Sequence, residues 1–488
     1  MNRPLNILFV ASEVASFAKT GGLADVALSL PKALSEMGHN VVVVMPRYYA
    51  IDKSKLTHVE GALGVPMGVM GELWAGVYRT TLPNSSVSLY FIDYELFFGR
   101  SGLYDHEDRA YDDNAVRFIF FSKAVFSLAK MIDFHPDIIH ANDWHTAAVP
   151  LLAKRRFVHD FGDAATVLTL HNLEHQGVFH KSVMELLECG WEAFAPEAFE
   201  SMDFVNLLKG GIAYADAVTT VSKRYAWEIQ TPEFGFGLEQ HINAHAHKLF
   251  GIVNGVDYME WSPKHDKRIA ANYSAKSLNG KLICKKELQK HFHLEQREDV
   301  PLIGFVGRFA KQKGIELIAE IIEWVLGHDV QIVMLGAGEK WAEGYFSHIA
   351  HRYSSKFAIH VGYSDDLAHK IEAGSDLFLM PSLFEPCGLN QIYSLSYGTL
   401  PIVRKTGGLD DTIENFDALT NSGVGFKFED ATPHALYNTI MWALDTYTNN
   451  KEAFVAMQKR AMKQHFGWDD AAKEYDGVYR YALERLQK

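Results

Sequence analysis

The chain has 488 residues, 48% of them hydrophobic and 22% charged, the composition of a folded globular protein. It is too long for one core; about 150 residues per domain points to two or three domains. A formal net charge of −13 argues against a nucleic-acid or anionic-membrane partner, whose phosphates the overall field would repel, and leaves an uncharged polymer admissible. Cys189, Cys284 and Cys387 lie far apart without C-x-x-C spacing, so neither a disulfide framework nor a zinc site is indicated and a reducing cytoplasm suits them. No apolar run reaches the ~18 residues of a spanning helix, and oligomeric state is not legible.

Leu5 to Ala11 reads as a buried strand, too short for a membrane span or signal peptide. It leads into Lys19-Thr20-Gly21-Gly22-Leu23-Ala24-Asp25 and a helical pattern over Val26 to Met37. Gly21 and Gly22 let a ligand approach the backbone, the helix supplies N–H donors and a positive dipole end, and Lys19 adds a charge. A tight turn with an exposed lysine is the plain alternative. Strand and helix then alternate through Val41 to Met45, Ser88 to Ile92, the long helix Asn114 to Met131, and Asp137 to His140. Lys53 to Trp74 reads as a hairpin excursion, and the aromatic, acidic loop from Glu95 to Asn114 has no periodicity. Asp143 follows a strand, where it either caps a helix or faces a site. The run Thr166 to Leu170 delivers His171-Asn172 at a strand's carboxyl end, a core hydrogen bond being the alternative role for His171. Met184 to Asp203, with Trp191, Phe194 and Phe199, reads as a helical hairpin packing its own core. A strand from Gly251 ends in the glycine turn of Asn254-Gly255, and the lysine-rich stretch beyond Trp261-Ser262-Pro263 places a domain boundary at 258/259.

The second half opens with strand Pro301 to Val306, then Arg308 and Lys313, then helix Ile315 to Leu326. Two cations at a strand's carboxyl end can hold a diphosphate as charge develops, a solvated basic loop being the alternative. Strands are expected at Val330 to Leu335 and Ile359 to Gly362, before Tyr363. Within 376–412 two apolar runs, Leu377 to Met380 and Leu400 to Val403, flank a helical pattern; Glu385 and Cys387-Gly388-Leu389 follow the first. After the second, Lys405-Thr406-Gly407-Gly408-Leu409-Asp410-Asp411 repeats the glycine motif of residues 19–25. The pattern is α/β, two doubly wound Rossmann-like domains facing across a cleft to which each offers a glycine loop. Helices over Pro433 to Tyr447, Ala453 to Phe466 and Trp468 to Leu486 close the chain.

Phe384-Glu385-Pro386-Cys387-Gly388-Leu389, Tyr397-Gly398-Thr399-Leu400-Pro401, Thr406-Gly407-Gly408-Leu409, the first Lys-Thr-Gly-Gly, Asp143-Trp144-His145 and residues 230–238, QTPEFGFGL, resemble bacterial glycogen synthases and plant starch synthases. These are retaining glycosyltransferases of GT-B fold, and the resemblance spans nearly the whole chain. It implies an acceptor-side domain over 1–258, a nucleotide-sugar domain over 259–467, and a last helix, about 468–488, returning to the first domain. It implies transfer of glucose from ADP-glucose to the non-reducing end of an α-1,4-glucan with retention, releasing ADP. By the same likeness Lys19 contacts the sugar nucleotide and Tyr104 lies near the donor sugar. Asp143 borders the cleft, and His171 and Asn172 sit under the transferring sugar. Arg308 and Lys313 take the phosphates, Tyr363 walls the adenine, and Glu385 takes the sugar hydroxyls. Gly21, Gly22, Asp25, Asn254, Cys387, Gly388 and Leu389 complete the substrate-binding set. Two stretches depart from the family: Gly99-Arg100-Ser101-Gly102 stands for Asp-Arg-Pro-Gly, and Asn172-Leu173-Glu174-His175-Gln176-Gly177 for Asn-Leu-Ala-Tyr-Gln-Gly.

Cleaving a sugar nucleotide leaves a diphosphate whose charge needs neutralising. No carboxylate cluster suggests a metal site, so Arg308, Lys313, Lys19 and helix N-termini are expected to neutralise it without metal or cofactor. Double displacement needs a second carboxylate ~5 Å from the first. Retaining relatives often carry a Glu eight residues on, but that position is Tyr393, which favours front-face transfer with His171 lining the anomeric centre. Rival readings are a phosphorylase, which would need pyridoxal phosphate, a sugar-nucleotide epimerase, or a non-catalytic nucleotide-sugar-binding protein.

Overall fold

Runs such as NILFV and NVVVVMP, apolar at every position after the leading Asn6 and Asn40, fit strands covered on both faces, and each is almost wholly buried past that residue. The computed structural model describes residues 3–106 and 109–486. The chain divides into two units, Met1–Gly255 with Trp468–Lys488, and Val256–Gly467.

In the first unit the elements are β1 (Asn6–Val10), α1 (Gly22–Glu36), β2 (Asn40–Pro46), β3 (Thr57–Pro66), β4 (Glu72–Thr81), β5 (Ser88–Asp93), α2 (Asn114–Met131), β6 (Ile138–Asn142), β7 (Ala165–Leu170), α3 (Leu207–Tyr214), β8 (Ala217–Thr220) and β9 (Leu249–Gly251). The sheet order is β9-β8-β7-β6-β1-β2-β5-β4-β3. It is parallel from β9 to β5, with Leu8 opposite Val42 on one side and Ile139 on the other, and antiparallel where β4 and β3 extend its edge. The excursion after Lys53 is thus a hairpin, longer than its sequence suggests.

Met184 to Asp203 is not a helical hairpin. It has a single α-helical turn, Met184–Leu187, and a 3-10 turn, Trp191–Ala193, in otherwise irregular chain leading to a small antiparallel patch of Val178–His180, Glu200–Ser201 and Phe204–Asn206. Left-handed backbone at Glu188, Gly190, Met202 and Asp203 interrupts any longer helix. Phe199 is fully buried over Gly210 of α3, where a Cβ would come within 2.3 Å of the ring.

The second unit contains α4 (Asn279–His291), β10 (Leu302–Val306), α5 (Ile315–Leu326), β11 (Gln331–Gly336), α6 (Lys340–Arg352), β12 (Phe357–Val361), α7 (Asp365–Gly374), β13 (Leu377–Met380), α8 (Asn390–Tyr397), β14 (Leu400–Arg404), α9 (Gly407–Thr412), β15 (Phe426–Phe428), α10 (Pro433–Asn449) and α11 (Lys451–Ala461). Its strands run in the order β12-β11-β10-β13-β14-β15, all parallel. α12 (Trp468–Leu486) belongs to the first unit and is pinned there by Tyr479, whose hydroxyl lies 2.8 Å from His140 Nδ1 on β6.

Both units are doubly wound. In chain order their parallel strands are arranged with the third, second and first on one side and the fourth onward on the other, so the direction of winding reverses between first and fourth. At that switch the loops on the two sides diverge and leave a crevice at the carboxyl ends of the strands. In the first unit the switch lies between β1 and β6, and in the second between β10 and β13. Among the described residues no helix is long and apolar enough to cross a membrane.

Candidate active site

In the first unit the loops leaving β1, β6 and β7 converge at the switch. Glu13, just past β1, is buried and accepts from the N–H and hydroxyl of Thr20 at 2.6 and 2.5 Å, the N–H of Gly21 at 3.4 Å and the hydroxyl of Tyr104 at 2.6 Å. These bonds fold the first Lys-Thr-Gly-Gly. Gly21 is extended and opens α1, and a Cβ at Gly21 or Gly22 would meet nothing within 4 Å. Neither backbone conformation nor packing therefore demands glycine there; what the pair leaves open is space in front of a helix N-terminus. Lys19 extends beside it with its Nζ 2.7 Å from Asp25. Tyr104 is further held by Ser12 Oγ at 2.8 Å and by stacking on His145, ring centres 4.4 Å apart.

Asp143 follows β6 with φ +55, a left-handed backbone. Its carboxylate does not cap the turn after it; it accepts from the N–H of His171 at 2.7 Å. Burial pushes Asp143 up to about 7, offset in part by the N–H groups of His171 and Asn172 and reinforced by the charge of Glu13. Asn142 Nδ2 donates to Val10 O at 3.0 Å, so its Oδ1, 2.9 Å from His171 Nε2, must accept. That places the His171 proton on Nε2 and leaves Nδ1 a lone-pair acceptor. Burial alone takes His171 down to about 3, so at neutral pH the ring is uncharged. The Asn172 side chain folds its own turn, accepting from Glu174 N at 3.0 Å. Asn254 is buried with its Oδ1 unpartnered among the described residues.

In the second unit the switch joins the end of β10 to the end of β13. Arg308 is exposed and its Nη2 lies 3.3 Å from Gln312 Oε1. Gly314, at φ +70, packs where a Cβ would sit 2.1 Å from Pro381 O, which brings the Lys313 turn against the β13 loop. Lys313 Nζ then donates to Glu385 Oε2 at 2.6 Å, and Ser382 Oγ to the same oxygen at 2.9 Å. Glu385 is thus a nearly buried carboxylate with a cation and a hydroxyl on one oxygen. Asn390 Nδ2 fastens α8 to β10 through Val306 O at 2.8 Å, and Gln391 Nε2 bonds Cys387 O and Gly388 O at 3.0 and 3.1 Å. Gly388 takes φ +69, Cys387 is buried and in no disulfide, and Leu389 leads into α8.

The second Lys-Thr-Gly-Gly departs from expectation. Gly407 has φ +45 and a Cβ there would lie 1.9 Å from Glu385 O; at Gly408 it would lie 2.0 Å from Cys387 O. These glycines are packing positions that let α9 rest on the Glu385 loop, while Lys405 turns to Glu429 at 3.1 Å. Tyr363 stands exposed after the edge strand β12, three strand spacings or about 14 Å from the end of β13. Tyr393, where a second acid would stand, is stacked flat on Trp261 at 3.8 Å. Glu260, Asp365 and His369 lie close enough to share an ion, but Arg268 already occupies the two carboxylates at 2.6 and 3.4 Å. Sequence reasoning missed Glu13, Asn142 and Ser382. Each hydrogen-bonds a residue it did single out: Glu13 to Gly21 and Tyr104, Asn142 to His171, and Ser382 to Glu385.

Family models match on either side of residue 255: the starch synthase catalytic domain over residues 6–244 and the glycosyl transferases group 1 over 286–463. Glycogen synthase 1 of Geobacter sulfurreducens is 51% identical over 99% of this chain and 97% of its own. The chain belongs to the glycogen and starch synthase family. Another member, the glycogen synthase of an Anaeromyxobacter species, is 46% identical over 98% of this chain and 99% of its own. Among solved structures, the catalytic domain of starch synthase IV from Arabidopsis thaliana, bound to ADP and acarbose, matches with a TM-score of 0.91 and 31% identity over 99% of this chain and 100% of that one. A sucrose-phosphate synthase from Thermosynechococcus elongatus, at 16% identity and a TM-score of 0.60 over 98% of each chain, shares the fold. As a member of this family the chain is a glycosyltransferase of GT-B fold.

Proposed function

We infer that this chain is a glycogen synthase that moves glucose from ADP-glucose to the non-reducing end of an α-1,4-glucan, with retention, and releases ADP. The observation that carries the reading is the Lys313–Glu385 pair at the switch point of the second unit, with Arg308 on the adjoining loop, in a chain that matches synthases over its whole length. A sugar nucleotide needs cations at its diphosphate and a hydroxyl acceptor at its sugar, and these residues offer both.

Arg308 and Lys313 neutralise the charge that grows on the departing diphosphate. Glu385 takes donor-sugar hydroxyls, with Lys313 and Ser382 tempering its own charge. Lys313 and Ser382 both hold its Oε2, so it orients sugar rather than attacking it, and Tyr393 offers no second acid. Transfer therefore proceeds on one face of the sugar, the leaving phosphate oxygen taking the proton of the acceptor hydroxyl while that hydroxyl bonds to the anomeric carbon. His171, neutral and with Nδ1 as acceptor, receives a hydrogen bond from a sugar hydroxyl and is not the acid. Lys19, Asp25 and the open Gly21-Gly22 turn receive phosphate, Asp143 and Asn172 shape the sugar side, and the exposed ring of Tyr363 takes the base. The bound ADP of the Arabidopsis enzyme supports adenine in the donor.

The test is incubation with maltotetraose and either ADP-glucose or UDP-glucose, reading nucleoside diphosphate and chain length. ADP release matched by an oligosaccharide one hexose longer is expected. Lengthening with UDP-glucose alone overturns the donor assignment, and turnover of neither overturns the reaction.

A further inference from the structure

Glu13 has no part in the chemistry just described, yet it is the most heavily bonded carboxylate at the switch of the first unit. It is 3% exposed. Its Oε2 accepts from Thr20 N and Gly21 N, and its Oε1 from Thr20 Oγ1 and Tyr104 Oη, so all four acceptor positions are filled. No ion pair involves it among the described residues; Lys19, the cation of the same loop, is turned to Asp25. A buried charge held only by neutral donors makes each of those bonds strong, and expensive to leave unmade.

Those donors come from two segments that no hydrogen bond joins directly among the described residues. One is the glycine turn ahead of α1. The other is the loop between β5 and α2, whose main chain is fixed from behind: Asn114 Nδ2 donates to Tyr104 O at 2.9 Å, and the buried Arg117 donates to Leu103 O at 2.9 Å. The Tyr104 hydroxyl and the Thr20-Gly21 turn therefore meet only at Glu13, with Ser12 Oγ touching the tyrosine alone.

We propose that Glu13 is a positioning residue that ties the phosphate-facing glycine turn to Tyr104, so that donor and sugar-side geometry are set together. It rests on the proposed reaction, in which the turn receives phosphate, and on the family resemblance, which implies that Tyr104 lies near the donor sugar. A glutamate that merely staples the glycine turn would leave Tyr104 independent of Thr20.

The test is a double-mutant cycle on the full chain with ADP-glucose and maltotetraose, using Thr20→Val, Tyr104→Phe, the double variant and Glu13→Gln, with a thermal melt on each. Each single change should lower kcat/KM by about tenfold, as expected for loss of a hydrogen bond to a charged group. The double variant should be no worse than the poorer single one, and Glu13→Gln should match it. Losses that multiply to about a hundredfold in the double variant overturn the proposal, as does kcat/KM per folded molecule unchanged in the singles while only the melting temperature falls. If Glu13→Gln does not fold, the cycle between Thr20 and Tyr104, which leaves Glu13 in place, decides alone. A wild-type chain that does not turn over ADP-glucose overturns the reaction itself; an active wild type with multiplying losses overturns only the coupling.

Discussion

Alanine at Gly22 and alanine at Gly407 should act in opposite directions, although the two glycines occupy the same place in a repeated motif. At Gly22 the added methyl meets nothing within 4 Å and the residue is already helical. Helix propensity favours alanine over glycine by up to ~1 kcal/mol, less at the first helical position, so ~0.5 kcal/mol of stabilisation is expected. The melting temperature should hold or rise by ~1–2 °C. The same methyl fills the open space before the helix N-terminus, so the KM for ADP-glucose should rise by about tenfold or more. At Gly407 the methyl would lie 1.9 Å from Glu385 O on a backbone at φ +45. The left-handed conformation alone costs ~1–2 kcal/mol, and relieving the overlap means moving α9 or the Glu385 loop, so ~4 kcal/mol or more should be lost. Thermal melts by tryptophan fluorescence and ADP-release kinetics read both effects. Equal destabilisation by the two substitutions, or an unchanged donor KM in Gly22→Ala, would refute the distinction between a ligand-facing and a packing glycine.

Asp143 stands at about 7 when folded against the usual ~3.9 unfolded. The folded state then holds the proton more tightly, so its contribution costs stability as pH rises from ~4 to ~7 and stays constant above. Three units correspond to ~4 kcal/mol as a ceiling, and solvent at the half-buried carboxylate reduces the expected figure to ~1–2 kcal/mol. Asp143→Asn keeps the acceptor for His171 N–H and should stabilise the protein at pH 8 but not at pH 4; equal shifts at both would contradict it. Glu385→Ala should lower kcat by about a hundredfold or more with little change in ADP affinity by calorimetry, and unchanged turnover removes Glu385 from the reaction. Tyr479→Phe strands the buried Nδ1 of His140, whose other nitrogen bonds Thr169 Oγ1 at 2.6 Å, and should cost ~1–3 kcal/mol while kcat per folded molecule is kept. Transfer should survive excess EDTA, because the proposed reaction gives the charge neutralisation to Arg308 and Lys313; abolished turnover, restored by a divalent cation, would overturn that division of labour.

The parallel strands were legible because a strand covered on both faces reads as a continuous apolar run, as VVVVMP and LFLM do. Loop positions followed, since ligands gather where such strands end. Helix α4 was not legible. Its buried face carries Lys281 and Lys285, whose ammonium groups are satisfied by Ala373 O, Thr399 Oγ1, Val300 O and Asp376, so hydrophobic periodicity fails where the helix is most buried. Glu13 was invisible for a related reason: an acid beside a glycine turn reads as solvated until the fold brings Tyr104 to it. The two Lys-Thr-Gly-Gly copies could not be told apart in sequence. What separates them is a carbonyl oxygen 1.9 Å from one imaginary methyl and empty space around the other.

The most direct measurement is the anomeric configuration and stoichiometry of the product, read by proton NMR while ADP is counted. Each ADP released from ADP-glucose should match one new α-1,4 linkage at the non-reducing end of the acceptor. A β linkage, or ADP released without a lengthened chain, would contradict retaining transfer by this site.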